Sequence, residues 1–131
     1  MERLFVDTSA WLAYANRTDK CHAEVRGALK RFEGRLVTTN FVFDETVTLC
    51  RRLGHGTATL VGDALRSLDL VDMVRVRPSD EQDAWQLFKD RADKEYSFTD
   101  CTSFVIMRRL SLSRAAALDE DFRREGFEAV P

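Results

Sequence analysis

Four acidic residues, Asp7, Glu45, Asp100 and Asp119, lie at or just after points where apolar stretches give way to polar, helix-opening segments. They could do chemistry together only if the fold gathers them. Two like charges about 4 Å apart, at an effective dielectric near 20, repel by roughly 4 kcal/mol. No Lys or Arg adjoins any of the four in sequence. A hard divalent cation would offset the repulsion, and Mg²⁺ or Mn²⁺ suits a few carboxylates that leave room for water. Such an ion polarises phosphate oxygens and activates a bound water, so the expected chemistry is metal-dependent phosphodiester hydrolysis.

The elements that would position these acids read as alternating strands and helices. Leu4-Phe5-Val6 is a short apolar strand running into Asp7-Thr8-Ser9, and a helical segment, Ala10 to Ala15, follows. Val25, Ala28, Leu29 and Phe32 recur at helical spacing and predict a helix ending near Gly34. Leu36 to Thr39 is a second strand, after which Asn40 can cap a helix from Phe41 to Leu53, stopped by Gly54. Thr57 to Leu70 is helical, with Leu60, Val61, Ala64, Leu65 and Leu68 on one side, and Met73 to Val76 alternates as a strand. Ser79 and Gln82 have capping-box spacing and open a helix with Ala84, Leu87, Phe88 and Ala92 facing inward. A further helix starts at Phe98-Thr99-Asp100, Ala115 to Leu118 is a short strand ending in Asp119, and Phe127 to Val130 is the last strand.

This alternation predicts βαβ units and one three-layer α/β/α domain over residues 1–131, with a central parallel sheet. Ligands of such sheets bind beyond the carboxyl ends of the strands, where all four acids would lie. Helical geometry separates Asp44 from Glu45: at 100° per residue, Glu45 lies roughly 110° from the mean apolar direction and Asp44 roughly 150°. Glu45 is therefore assigned to the site and Asp44 to water. Taken singly, Asp7 and Asp100 also suit helix N-caps and Glu45 a solvated helix surface; four such coincidences at one sheet edge favour a site.

With 20 Lys+Arg against 22 Asp+Glu the net charge is −2, so nucleic-acid binding would need local cationic patches rather than bulk charge. Candidates are Arg51, Arg52 and His55, then Arg108, Arg109 and Arg114, and Arg123 with Arg124; helix capping and solubility are the plainer roles for each. Trp11, Tyr14, Trp85 and Tyr96 could stack on bases, although core or dimer packing is the expectation for Trp11 and Trp85. Three widely spaced cysteines and the absence of a signal-peptide pattern or a long apolar run predict a cytoplasmic protein without disulfides or a membrane partner.

The ordered set Asp7-Thr8-Ser9, Thr39-Asn40 with Glu45, Ser97-Phe98-Thr99-Asp100-Cys101 and Leu118-Asp119-Glu120-Asp121-Phe122 resembles the successive motifs of PIN-domain ribonucleases, above all the VapC-type toxins of toxin–antitoxin modules. The resemblance spans essentially the whole chain. It implies a Mg²⁺- or Mn²⁺-dependent endoribonuclease with Asp7, Glu45, Asp100 and Asp119 as metal-binding quartet. It also implies Thr8 or Ser9 steadying Asp7 or a metal-bound water, an RNA substrate, a homodimer and a small inhibitory antitoxin. Asp121 is the alternative fourth acid. Other readings fit less well. An aspartyl phosphatase of the haloacid dehalogenase type would want a second Asp where Ser9 stands, and a receiver domain would want a late Lys, whereas no Lys follows Lys94. A catalytically silent binding module and a metal-dependent DNA nuclease stay open.

Overall fold

In the computed structural model, which describes residues 2–67 and 69–131, the chain is organised on strand β1 (Arg3–Val6). Leu4, Phe5 and Val6 are all buried, and since successive strand residues point to opposite faces, both faces of β1 must be covered. The covering helices are α1 (Thr8–Ala15), α2 (His22–Arg31), α3 (Asn40–Cys50), α4 (His55–Leu65), α5 (Pro78–Asp90), α6 (Phe98–Arg109) and the short α7 (Asp121–Arg124). A 3₁₀ turn, Arg51–Leu53, extends α3 and ends at Gly54, whose φ of 124° suits glycine. The other strands are β2 (Arg35–Thr39), β3 (Val71–Val74), β4 (Arg114–Ala116) and β5 (Glu128–Val130).

All five strands are parallel, in the order β3-β2-β1-β4-β5. The chain thus begins at the centre, winds outward through β2 to β3, then crosses to β4 and β5. The reversal between β1 and β4 is a switch point, and the crevice beyond their carboxyl ends is where such sheets bind ligands. Asp7 follows β1 directly, and its N–H continues the ladder to the Ala116 carbonyl at 2.9 Å.

Packing fixes the loops around that crevice. Phe122 of α7 is fully buried, 6.2 Å from Phe5 and 4.9 Å from Phe104 of α6 between ring centroids. One aromatic cluster therefore ties the segment Asp119–Asp121, the helix bearing Asp100 and the strand preceding Asp7. The α5–α6 hairpin is clamped by Arg109, which donates from Nε and Nη2 to the two Asp80 oxygens at 2.9 Å each.

Several sequence expectations shift. Thr39, not Asn40, caps α3: its Oγ1 accepts from Val42 N at 3.0 Å, while Asn40 is helical and its Oδ1 accepts from Val76 N at 2.8 Å. That use of Val76 accompanies the end of β3 at Val74, which pairs with Thr39, the last residue of β2, so the strand lies two residues earlier than the Met73–Val76 alternation suggests. Helix α5 starts on Pro78 at its first position, with Asp80 accepting from Arg77 N at 2.9 Å, so the Ser79–Gln82 box does not form. Helix α4 begins at His55 and ends at Leu65; Val61 and Leu65 face the core, but Leu60 and Ala64 face solvent, and Leu68 lies outside the described residues. Of the four residues expected to face inward from α5 only Ala84 is buried; Leu87 is half-buried, Phe88 is exposed, and Ala92 is exposed beyond the helix end. β4 ends at Ala116, so Asp119 sits on the loop after the strand rather than on its last residue.

Candidate active site

Asp7 is the most enclosed member of the acidic set, at 3% exposure. It caps α1, and its Oδ2 accepts from Ser9 Oγ at 2.7 Å and from Ser9 N at 3.2 Å. The same Ser9 hydroxyl oxygen accepts from Leu118 N at 3.1 Å. One side chain therefore joins the ends of β1 and β4 and sets Asp7 beside the loop that carries Asp119. Burial, reinforced by the charges of Asp100 and Asp119 and opposed by the Ser9 hydrogen bonds, pushes the Asp7 carboxyl up to about 7.

Asp100 is the third residue of α6 and closes a reciprocal box with the N-cap: Asp100 N donates to Ser97 Oγ at 3.0 Å, and Ser97 N donates to Asp100 Oδ2 at 2.9 Å. Burial is again the leading influence and, with Asp119 and Asp121 adding repulsion against the Ser97 bonds, raises it to about 6. Asp119 is also raised, by desolvation first and by the neighbouring Asp121 and Glu120, while the Asp121 N–H at 3.2 Å and the Arg124 charge pull it down. Asp7, Asp100 and Asp119 thus sense one another electrostatically across the switch point, and the leading influences on Asp7 and Asp100 include no cation.

Glu45 is half-buried on α3 and Asp44 exposed, as the helical geometry predicts. Helix α3 packs against both α1 and α6, which places Glu45 on the element between those bearing Asp7 and Asp100. Asp121 is engaged elsewhere, 3.1 Å from Arg124 Nη1, and it figures among the charges acting on Asp100 but not among the leading ones on Asp7, whereas Asp119 acts on both. Among the described residues no three His, Cys, Asp or Glu side chains are drawn tightly enough together to cage a metal ion unaided. The donor set fits a hard cation all the same: every acid offers oxygen, the charges acting most on Asp7 and Asp100 are negative, and Mg²⁺ characteristically retains several waters.

Most of the predicted cationic side chains are engaged by neighbouring groups of the chain. Arg109 holds Asp80, Arg114 holds Glu2, Arg124 holds Asp121, Arg123 reaches Glu120 and the Ala129 carbonyl, and Arg108 donates to the Glu125 carbonyl and lies 5.3 Å over Phe127. Arg51, Arg52 and His55 are exposed. Of the aromatic candidates, Trp11 and Tyr96 are buried and Tyr14 half-buried, whereas Trp85 is 53% exposed and so is not a core residue of this chain. Phe41 and Phe98, one turn before Glu45 and two residues before Asp100, bring their ring centroids within 6.2 Å of each other, a contact signalled in the sequence only by those positions.

Comparison with known proteins agrees with this fold. The PIN domain family matches residues 4–128. The chain is 37% identical over 128 residues, covering 97% of both chains, to the 23S rRNA-specific endonuclease VapC20 of Mycobacterium tuberculosis, in strains CDC 1551 and H37Rv alike. The crystal structure of VapC20, described as a sarcin–ricin-loop-cleaving toxin, superposes with a TM-score of 0.92 at 35% identity, covering 98% of this chain and 99% of that one. The FitAcB structure from Neisseria gonorrhoeae shares the fold at a TM-score of 0.73 and 13% identity, covering 98% of this chain and 96% of that one. With a five-stranded parallel sheet, acids at its switch point and a near-complete match to VapC20, the chain belongs to the PIN-domain family, in its VapC-type branch.

Proposed function

We propose that the protein is the toxin of a toxin–antitoxin module and acts as an endoribonuclease, hydrolysing RNA phosphodiester bonds at the crevice beyond β1 and β4. The observation that carries this reading is the convergence of Asp7, Asp100 and Asp119 beyond β1 and β4, with no cation among the leading charges on Asp7 or Asp100. The 37% identity to an rRNA-specific endonuclease supports RNA as the substrate class, and ribosomal RNA as the first target to try.

Asp7, Glu45, Asp100 and Asp119 would hold Mg²⁺ or Mn²⁺. When bound, such an ion supplies positive charge to the phosphate and a water acidic enough to attack it. The chain's own residues set the stage. Ser9 fixes the rotamer of Asp7 and keeps the β4 loop against it, while Ser97 fixes Asp100 on its helix. Asp7, raised to about 7, and Asp100, raised to about 6, would give up to a bound cation whatever protons they still carry. A cognate antitoxin, a homodimeric state and a cytoplasmic location complete the reading; among the described residues no helix is long and apolar enough to cross a membrane.

The test is incubation of antitoxin-free protein with total cellular RNA and intact ribosomes in Mg²⁺ or Mn²⁺, with EDTA and Asp100→Asn as controls and duplex DNA as a parallel substrate. Discrete RNA fragments absent from both controls are expected. Cutting in EDTA would refute the metal, cutting of DNA alone would refute the substrate, and no cutting by folded, metal-loaded protein would favour a silent binding module.

A further inference from the structure

Aromatic rings run outward from the edge of the core, beside the acids of α3 and α6, to a pair that the core does not bury. Phe41 lies one turn before Glu45 on the same face of α3, and Phe98 two residues before Asp100 on α6. The Phe41 and Phe98 rings are 6.2 Å apart; Phe98 meets Trp85 of α5 edge-on at 6.3 Å; Trp85 stacks on Phe88 at 5.6 Å, 9° from parallel. Exposure rises outward: Phe41 and Phe98 are half-buried, Phe88 is 39% and Trp85 53% exposed. The outer pair borders a depression of about 300 Å³ that is also lined by Lys89, Arg91 and Lys94. Arg91 is held by Glu125 and Lys94 by Asp93, which leaves Lys89 as the rim cation without a carboxylate partner among the described residues.

From the continuity of these rings with the crevice, we infer that Phe41, Phe98, Trp85 and Phe88 form a stacking track for the bases of single-stranded RNA flanking the scissile bond, with Lys89 beside its phosphates. The inference rests on the nuclease reading for the direction of the strand, and on general physics for its chemistry. Aromatic faces beside cations bind single strands with little regard to sequence, because every base has a π-face. A second copy of this chain suits the surface less well. A stable dimer buries about 800 Å² per partner, and here two exposed large rings stand alone beside a lysine that a nearby twofold axis would set close to its own copy.

The chain has two tryptophans, Trp11 buried and Trp85 exposed, so intrinsic fluorescence reports on the track directly. Titration of a fluorescein-labelled single-stranded RNA oligonucleotide is read by anisotropy in EDTA, where the proposed cleavage does not interfere, for wild type, Trp85→Ala/Phe88→Ala, Trp85→Phe and Lys89→Ala, with sedimentation of each and Trp85 quenching followed in the two proteins that keep it. The expected result is quenching of Trp85, roughly tenfold or greater loss of affinity in the double variant at unchanged salt dependence, and near-normal binding by Trp85→Phe. Lys89→Ala instead lowers the slope of log affinity against log salt by about one. Unchanged affinity in the double variant overturns the track, and so does a change in its oligomeric state, which would make the surface a protein interface. The two readings fail separately. RNA bound through Trp85 but never cut would leave the track standing and sink the nuclease, whereas cleavage and binding indifferent to Trp85 would do the reverse.

Discussion

Two aspartates of this chain are almost equally buried, Asp80 at 2% and Asp7 at 3% exposure, and the fold treats them in opposite ways. Burial alone would raise both. At Asp80 that rise is outweighed by the two hydrogen bonds from Arg109, the Arg77 N–H and both arginine charges, and the carboxyl ends below its ordinary 3.8. At Asp7 the carboxyl accepts from Ser9, the nearby charges are Asp100 and Asp119, and the carboxyl rises to about 7. A buried acid with its own cation is complete and holds helices together. A buried acid facing other acids awaits a cation from solution, and this contrast separates structure from site here.

The comparison can be broken most directly through activity. Asp7→Asn or Asp100→Asn should cut RNA cleavage by roughly two orders of magnitude or more while the fold survives, as read by circular dichroism beside the cleavage assay. Arg109→Ala should do the converse. It strands the Asp80 charge and should cost about 3–5 kcal/mol in urea unfolding, with activity per folded molecule retained. An Arg109→Ala protein of full stability would erase the distinction.

The pH dependence of metal-free protein sharpens the same contrast. Asp7 and Asp100 have folded values above the unfolded one, so between pH 4 and 7 the folded state binds more protons than the unfolded state, and stability falls as pH rises. For Asp7 the loss is on the order of 4 kcal/mol across that window. Asp7→Asn should flatten the curve, and Mg²⁺ or Mn²⁺ should restore stability chiefly at the high-pH end. Asp80 has the opposite sign: its contribution is present above pH 4 and is lost on acidification through its lowered folded value. Thermal unfolding of wild type and Asp7→Asn from pH 4 to 8, with and without metal, checks this; a wild-type curve that rises with pH in EDTA would contradict it.

The loop after β4 sets two neighbouring acids against each other. Asp119→Asn should abolish metal-stimulated cleavage, whereas Asp121→Asn, which removes the partner of Arg124, should cost less than about 1 kcal/mol and leave most activity. Equal loss in both would make Asp121 a full member of the set. Ser9→Ala removes the link between Asp7 and Leu118 N and should cost about 1 kcal/mol of stability, with metal affinity weakened in calorimetric titration.

Much of this arrangement is legible in the chain because it rests on local rules. Strand–helix alternation predicts the parallel sheet, and an acid immediately after Leu4-Phe5-Val6 falls at a strand's carboxyl end whatever packs around it. The difference between Asp44 and Glu45 follows from helical angle alone, and their observed exposure agrees. What misleads is chemistry that two segments can supply equally well. Thr39 and Asn40 are both good caps, and the choice turned on Val76, 36 residues away, claiming the Asn40 side chain. Ser79 was passed over because Asp80 and Pro78 start the helix earlier. The outward face of α4 and α5 was misjudged at Leu60 and Phe88 because periodicity shows that a face is apolar, not which neighbour covers it.

The sequence by itself therefore determined the elements, the parallel class of the sheet and the acids that stand at its productive edge, since these depend on short-range periodicity and on where strands end. Only the tertiary structure decided the strand order that makes a switch point of β1 and β4. Ser9 became the bond across that junction, Asp119 was carried past its strand onto the loop, and of two buried aspartates one received an arginine. Charge compensation depends on distance in space, and Arg109 is 29 residues from the aspartate it neutralises.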